Sequence, residues 1–353
     1  MAKIKVAIIG CGQIARNAHL GAYMASSDLC EIKYFCDIIS ERAKQLRDRY
    51  GSGEVVEDYH EILNDPEVTC VSVCTPNFCH APITIDFLNA GKHVLCEKPA
   101  SVNAELAAQM QKAADDNGKI LNIGVCNRFK TQVNKVQQLI EQGALGEVYH
   151  VYCSFRSHRS IPGLGGPFTT KSMAGGGALI DWGVHFLDLI LFCIGEPKVK
   201  TVSAETYSKL GNPMKDYTYA DMWAGPPDYS GTYDVEEFVT GLVRTEGATI
   251  SLNGAWAQNI GEEQKYIEFL GDKAGIKLDY GGNFVLYSTQ NGMLTTTTFE
   301  YPLTDMYEEE IRDFLIKAPQ GIKTKGNIDH AIITSRLMDA IYQSAEEHRE
   351  LTL

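Results

Sequence analysis

Residues 6–15, Val6-Ala7-Ile8-Ile9-Gly10-Cys11-Gly12-Gln13-Ile14-Ala15, decide the fold. Four apolar residues make a short buried strand, and a Gly-x-Gly-x-x-Ala turn follows at once. Gly10 permits the tight turn, Gly12 lets backbone approach a pyrophosphate, and Ala15 keeps the next helix close to the strand. Amides at that helix start, around Gln13 and Ile14, are placed to face phosphate oxygens. Asp37 ends a second apolar run twenty-two residues after Ala15. A carboxylate there accepts hydrogen bonds from an adenosine ribose and repels a 2′-phosphate, so the spacing predicts NAD rather than NADP. Arg42 is the nearby residue that would blunt this discrimination.

Working outward, apolar runs at 31–36, 70–74, 93–96 and 120–125 alternate with helical patterns at 14–25, 40–50, 60–63, 81–90 and 104–117. Continuous apolar strands between amphipathic helices predict a parallel sheet covered on both faces. Ligands of such sheets bind beyond the carboxyl ends of the strands. Two segments sit there: Thr75-Pro76-Asn77 after the third strand and Glu97-Lys98-Pro99 after the fourth. Pro99 pushes Lys98 into an extended conformation, and a lysine held at that edge would point over a nicotinamide. The plainer readings are a surface lysine paired with Glu97, and an Asn77 that only starts the next turn.

After about Cys126 the pattern changes. A helix at 133–142, a strand at 147–155 and a Gly-rich loop at 163–177 precede a helix at 178–193. Seven strand-like runs then lie between Val199 and Glu300, several joined by Gly-containing turns, and a long helix spans 330–347. This half is expected to be an α+β domain on an open-faced, mostly antiparallel sheet, with domains at 1–126 and 127–353. Asp181 and His185 lie four residues apart, which puts them on one helix face about 5–6 Å apart at Cβ. A polar pair on an apolar helix needs partners; a structural contact between His185 and Asp188 is the competing reading. The triple glycine 175–177 brings backbone close to something. Arg128, Arg156, His158 and Arg159 lie on or after strands leading to the same region; Arg159 or His158 is the candidate for substrate hydroxyls or a carboxylate, and a solvated loop is the plainer reading of each. The aromatic loop 217–233 lacks periodicity and reads as a lid or assembly arm.

Composition bounds the rest. The chain has 353 residues, 44% hydrophobic and 22% charged, enough apolar material for two folded domains. A net charge of −13 disfavours nucleic acid and anionic membranes as partners. Ten cysteines contain no CxxC pair and no zinc spacing, so they read as buried free thiols in a reducing compartment, with no metal site. Val6–Ile9 is too short for a signal-peptide core. The apolar stretch 178–194 is interrupted by Asp181, His185 and Asp188, so no membrane span is expected. The expectation is a cytoplasmic protein.

Four segments, AIIGCGQIA at 7–15, CTPNFCH at 74–80, GKHVLCEKPAS at 91–101 and GGGALIDWGVHFLDL at 175–189, resemble in order and spacing the Gfo/Idh/MocA oxidoreductases. The resemblance covers essentially the whole chain. It implies an N-terminal Rossmann domain, with His80 and Glu97 joining the cofactor set of Gly10, Gly12, Gln13, Ile14, Asp37, Arg42, Thr75, Asn77 and Lys98. It implies a C-terminal sheet that carries substrate and builds oligomers. Lys98 then corresponds to the family's catalytic lysine, Asp181 to its substrate-binding acid and His185 to its catalytic histidine. Trp182 stands where smaller residues are common; it narrows the pocket, stacks on a sugar or simply packs.

The expected activity is NAD-dependent oxidation of a ring hydroxyl of a sugar, glycoside or cyclitol to a ketone. His185 is expected to take the hydroxyl proton, Lys98 to stabilise the developing alkoxide and Asp181 to orient the substrate. Two alternatives share the fold: glycoside cleavage through transient oxidation, and a non-catalytic NAD or sugar sensor. A sheet covered on one side only also predicts a homo-oligomer built face to face, a dimer or the unit of a tetramer or hexamer.

Overall fold

The computed structural model describes residues 3–353. The chain packs as two compact units. The first takes the residues up to Lys130 together with Thr304–Ile332, and the second takes Thr131–Leu303 and Ile333–Leu353. The expected division at 126/127 therefore lies close to the first crossing, but residues 304–332 return to the first unit.

In the first unit, strands β1 (Ile4–Ile9), β2 (Cys30–Cys36), β3 (Glu54–Val56), β4 (Val68–Val73), β5 (His93–Glu97) and β6 (Leu121–Gly124) form one parallel sheet. Its order is β3-β2-β1-β4-β5-β6, the doubly wound dinucleotide-binding arrangement, with its switch point beside β1 and β4. The central strands are apolar on both sides because helices cover both faces: Val6, Ala7, Ile8, Cys70, Val71, Val94 and Leu95 are fully buried. β3 was not expected, and its three residues are too few to show a period. Helix Met306–Lys317 was not expected either. Its sequence reads as a charged run, yet Ile311, Phe314 and Leu315 are buried in the core with Leu20, Tyr23 and Phe35. Asp305 caps it, its Oδ1 accepting from the amides of Tyr307 and Glu308 at 2.9 and 3.1 Å.

The second unit is a nine-stranded mixed sheet. Its strands are β7 (Val148–Arg156), β8 (Val199–Tyr207), β9 (Phe238–Thr245), β10 (Thr249–Ala255), β11 (Gln264–Gly271), β12 (Ala274–Asp279), β13 (Phe284–Gln290), β14 (Met293–Thr298) and β15 (Leu351–Thr352). The order is β14-β13-β12-β11-β7-β10-β9-β8-β15, and β7–β10 is the one parallel pair. Val151, Cys153, Phe155, Ile250, Leu252, Ile267 and Phe269 all point to one side. There they pack on Leu187, Ile190 and Leu191 of helix Val184–Cys193 and on Leu337 and Ile341. The apolar stretch 178–194 is thus core of this unit. The other sheet face carries Tyr152 and Tyr207 together with Ser251, Asn253 and Glu268, so it is mixed in polarity. All ten cysteines are free thiols, and only Cys79 is not buried.

Candidate active site

The first unit places the expected cofactor residues along the carboxyl ends of β1, β2, β4 and β5. Gly10 has φ +88°, and a Cβ on it would lie 2.6 Å from the Cys74 carbonyl oxygen, so strand β4 enforces glycine there. A Cβ on Gly12 would meet nothing within 4 Å; that space is open on the loop's outer side. The turn that follows, Ala15–His19, is π-helical, a form found often at functional sites. The helix itself begins at Gln13, directly after Gly12, which has no side chain with which to cap it. Gln13 is exposed, Ile14 half-buried. Asp37 is buried, with Oδ2 accepting from the Cys11 amide and Oδ1 from the Ile39 amide, both at 2.8 Å. Each oxygen keeps a second lone pair for a ribose. Next to it Ile38 is 87% exposed, an apolar side chain left uncovered at the end of β2; Arg42 is exposed on helix Ser40–Tyr50. Asn77 begins helix Asn77–Asn89, and the Thr75 hydroxyl is buried with no hydrogen-bond partner. Open space beside Gly12 at a helix start, the Asp37 carboxylate at the end of β2 and the orphaned Thr75 hydroxyl fit a dinucleotide.

Two of the expected cofactor residues lie beneath this surface instead. His80 is fully buried, with Nδ1 2.7 Å from the Pro99 carbonyl oxygen and Nε2 2.8 Å from that of Thr75. It ties together the two loops that follow β4 and β5. Burial pushes its pKa down, against the two carbonyls and Glu97, which favour the charged ring. Glu97 is also buried. Its Oε1 lies 2.7 Å from Nε2 of His19, and its Oε2 accepts from the Lys98 amide at 3.1 Å. Burial alone would raise the Glu97 pKa, but His19 and Lys98 together hold it below the usual carboxylate value. His19 carried no sequence signal, because a histidine inside a helix announces no partner seventy-eight residues away.

In the second unit, Asp181 lies in a π-helical turn, Leu179–Gly183, that runs into helix Val184–Cys193. Asp181 is buried, and its Oδ2 accepts from Nε1 of the fully buried Trp256 at 3.1 Å. His185, half-buried, has its ring centroid 6.4 Å from that of Tyr280. Asp188 meets the hydroxyl of Thr334 at 3.4 Å. The triple glycine is explained by the protein itself. A Cβ on Gly176 would fall on the Tyr342 hydroxyl and one on Gly177 on the Glu236 carbonyl oxygen, far inside contact distance. Glu236 is buried, and its carboxylate accepts from the amides of Gly177 and Leu179 and from the Tyr342 hydroxyl, each at 2.9 Å. Burial raises its pKa, although these donors oppose the rise. Neither Glu236 nor Trp256 was singled out in the sequence.

Trp182 is partly buried among core side chains, with Nζ of Lys265 4.5 Å from its ring centroid. Arg159 is largely committed to structure: Nη1 donates to the carbonyls of His158 (2.6 Å) and Gln258 (3.0 Å), and Nη2 to Asn259 Oδ1 (2.6 Å). Arg156 binds Gln258 and Gln264, and Arg128 is buried in the first unit against the Lys325 carbonyl. The loop 217–233 is docked rather than free. Tyr217, Met222 and Tyr233 are buried with Ile161 and Trp256, and Glu237 accepts from the Tyr233 hydroxyl at the loop's end and from the amides of Lys209, Leu210 and Gly211 ahead of it.

Fold and phosphate loop together define an NAD-dependent oxidoreductase. Residues 4–125 match the oxidoreductase family with an NAD-binding Rossmann fold, and residues 133–277 match the GFO/IDH/MocA C-terminal domain. The chain belongs to the Gfo/Idh/MocA oxidoreductase family. It is 33% identical to D-glucoside 3-dehydrogenase of Escherichia coli (strain K12) over 97% of this chain and 95% of that one. It is 30% identical to levoglucosan dehydrogenase of Pseudarthrobacter phenanthrenivorans over 56% of this chain and 52% of the other. The fold is shared with an oxidoreductase domain protein from Kribbella flavida (TM-score 0.87, 20% identity, 100% and 99% of the two chains). It is also shared with levoglucosan dehydrogenase in complex with NADH and levoglucosan (TM-score 0.85, 21% identity, 99% of each chain).

Proposed function

We propose that this protein oxidises a ring hydroxyl of a sugar, glycoside or cyclitol to a ketone, with C3 of a glucoside the first candidate. The observation that carries this reading is the end-to-end similarity to D-glucoside 3-dehydrogenase, together with an Asp–His pair on the helix of the second unit. When bound, NAD supplies the acceptor for the hydride of the carbinol carbon. His185 takes the hydroxyl proton as general base. Lys98 donates a hydrogen bond to the same oxygen and stabilises its developing charge. Asp181, steadied by Trp256, accepts from a neighbouring substrate hydroxyl. Gly10, Gly12, Asp37, Thr75 and Asn77 would hold the cofactor. Incubation with NAD and a panel of hexoses, inositols and aryl glycosides, followed at the absorbance of NADH, tests the reading. A keto-glycoside two mass units lighter than its substrate supports it, whereas a released aglycone identifies cleavage instead. Lys98→Met should lower kcat by about 10²–10³-fold while NADH still binds; near-normal turnover removes Lys98 from the mechanism.

We also propose a homodimer formed through the uncovered sheet face, where Tyr152, Tyr207 and Tyr287 are 45%, 37% and 46% exposed. A cavity of about 430 Å³ on that face, lined by Tyr207, Phe238, Arg156 and Gln258, leaves room for side chains of a second copy. Light scattering at micromolar concentration should give twice the 39.0 kDa chain mass; a monomer refutes the dimer.

A further inference from the structure

Two buried histidines hold Lys98 from either side. His80 grips the residue after it, through the Pro99 carbonyl oxygen at 2.7 Å. His19 grips the residue before it, through Glu97 at 2.7 Å. His19 is the last residue of the π turn that opens at the phosphate loop, and it is 0% exposed. Glu97 ends β5, and its second oxygen takes the Lys98 amide. The neighbouring strand makes room for this carboxylate: Glu97 is in register with Gly124, where a Cβ would lie 3.1 Å from the Glu97 carboxyl carbon.

The pair is specific in its chemistry. A carboxylate accepts only, so Nε2 of His19 carries the proton and donates. His19 Nδ1 is buried and has no partner. The donors His19 and Lys98 outweigh burial at Glu97, so it is a carboxylate, with its negative charge next to the Lys98 backbone. The other ionisable groups around it are His80, the thiols of Cys74, Cys96 and Cys126, and the Tyr307 hydroxyl. Burial raises the pKa of all three thiols and of Tyr307, so they remain neutral, and it lowers that of His80.

We propose that His19 and Glu97 form a buried strut from the phosphate-binding helix to Lys98, making both of them positioning residues for the hydride transfer. The strut fixes the lysine against the same segment that holds the pyrophosphate, and it supplies a negative charge that keeps the ammonium protonated. This inference rests on the assignment of Lys98 to the reaction, so the test includes Lys98→Met as a reference.

Glu97→Gln removes the charge and keeps the shape. We expect kcat to fall by up to about 100-fold, the scale of a small misplacement of a reacting group. NADH affinity, read by its fluorescence on binding, should stay within about threefold of wild type, because uniform cofactor binding is not what is lost. The alkaline limb of the kcat profile should move to lower pH, since a lysine without its carboxylate neighbour deprotonates sooner. Glu97→Asp keeps the charge but shortens the reach: it should lose kcat with the alkaline limb left in place. Glu97→Gln and His19→Gln combined should be no worse than the poorer single variant, because both break one strut. Wild-type kcat and an unmoved alkaline limb in Glu97→Gln, with Lys98→Met inactive, overturn the strut and leave the Lys98 assignment standing. Full activity in Lys98→Met overturns the assignment itself. If Glu97→Gln does not fold, His19→Gln decides: reduced kcat with retained NADH affinity supports the strut, and unchanged kcat overturns it.

Discussion

The two units use one local device to opposite ends. Each leads a functional helix from a glycine run into a π-helical turn: Gly10 to Gly12 into Ala15–His19, and Gly175 to Gly177 into Leu179–Gly183. In the first unit the residue before the helix is Gly12, which has no side chain to cap it, and the space beside it is open. In the second unit the corresponding end is filled by the Glu236 carboxylate, which takes the amides of Gly177 and Leu179. A helix end left open recruits its anion from a ligand. One that carries a built-in anion has no vacancy, and the residues proposed for the chemistry, Asp181 and His185, lie further along the helix. Glycine serves close approach in both, but to an incoming pyrophosphate in one and to the protein's own Glu236 and Tyr342 in the other.

That contrast can be broken by substitution. Glu236→Ala strands two amides and the Tyr342 hydroxyl in a buried site, and should destabilise the protein by about 4 kcal/mol. A loss below about 1 kcal/mol in urea unfolding would show that the carboxylate is not what closes this helix. Gly177→Ala drives a Cβ into the Glu236 carbonyl and should cost about 2–3 kcal/mol of stability. Gly12→Ala enters open space, so stability should change by no more than about 0.5 kcal/mol. Yet NADH should bind about tenfold more weakly, roughly 1.4 kcal/mol. If Gly12→Ala melts the protein while Gly177→Ala does not, the comparison is inverted.

Acid sharpens it further. Burial, and then the Lys119 charge, lower the His93 pKa from 6.5 to about 4. Its Nδ1 accepts the Ile120 amide at 3.0 Å, which a protonated Nδ1 cannot do. Between those values the unfolded chain binds the extra proton, so this stability is present above pH 6.5 and is lost as pH falls toward 4. Glu236, with its pKa raised, has the opposite sign: the folded form binds the proton more readily, and acidification relieves its buried charge. Acid should therefore weaken the first unit before the second, by on the order of 1 kcal/mol. The three tryptophans, Trp182, Trp223 and Trp256, all lie in the second unit. Their emission should change at lower pH than far-ultraviolet circular dichroism, and His93→Gln should narrow the gap. Coincident transitions in the wild type would deny the units this difference.

Much of this was legible before any coordinates, because the informative signals are local. The phosphate loop, each buried strand and the Asp181–His185 spacing is a pattern within a few residues, and Asp37 is found by counting twenty-two residues on from Ala15. What escaped was set by distance along the chain. His19 meets Glu97, Asp181 meets Trp256, and Gly177 meets Glu236 across fifty-nine to seventy-eight residues, and no periodicity records such pairs. His80 and Arg159 were read for their chemistry, but both engage the protein's own carbonyls. Helix Met306–Lys317 was hidden for a different reason. Its six charged residues, with Glu308 and Glu309 facing outward, outnumber the three apolar residues that make its buried stripe.

That same helix gives the chain an order of events. Ile311, Phe314, Leu315 and Ala318 belong to the core of the first unit, yet they follow almost all of the second unit in synthesis. At about 5–20 residues per second, a ribosome needs on the order of 10–40 s to travel from residue 130 to residue 318. Through that interval the nascent nucleotide-binding unit stands with one wall of its core unfilled, while the second unit is being made. A message truncated a few dozen codons early would therefore damage the beginning of the protein, not only its end.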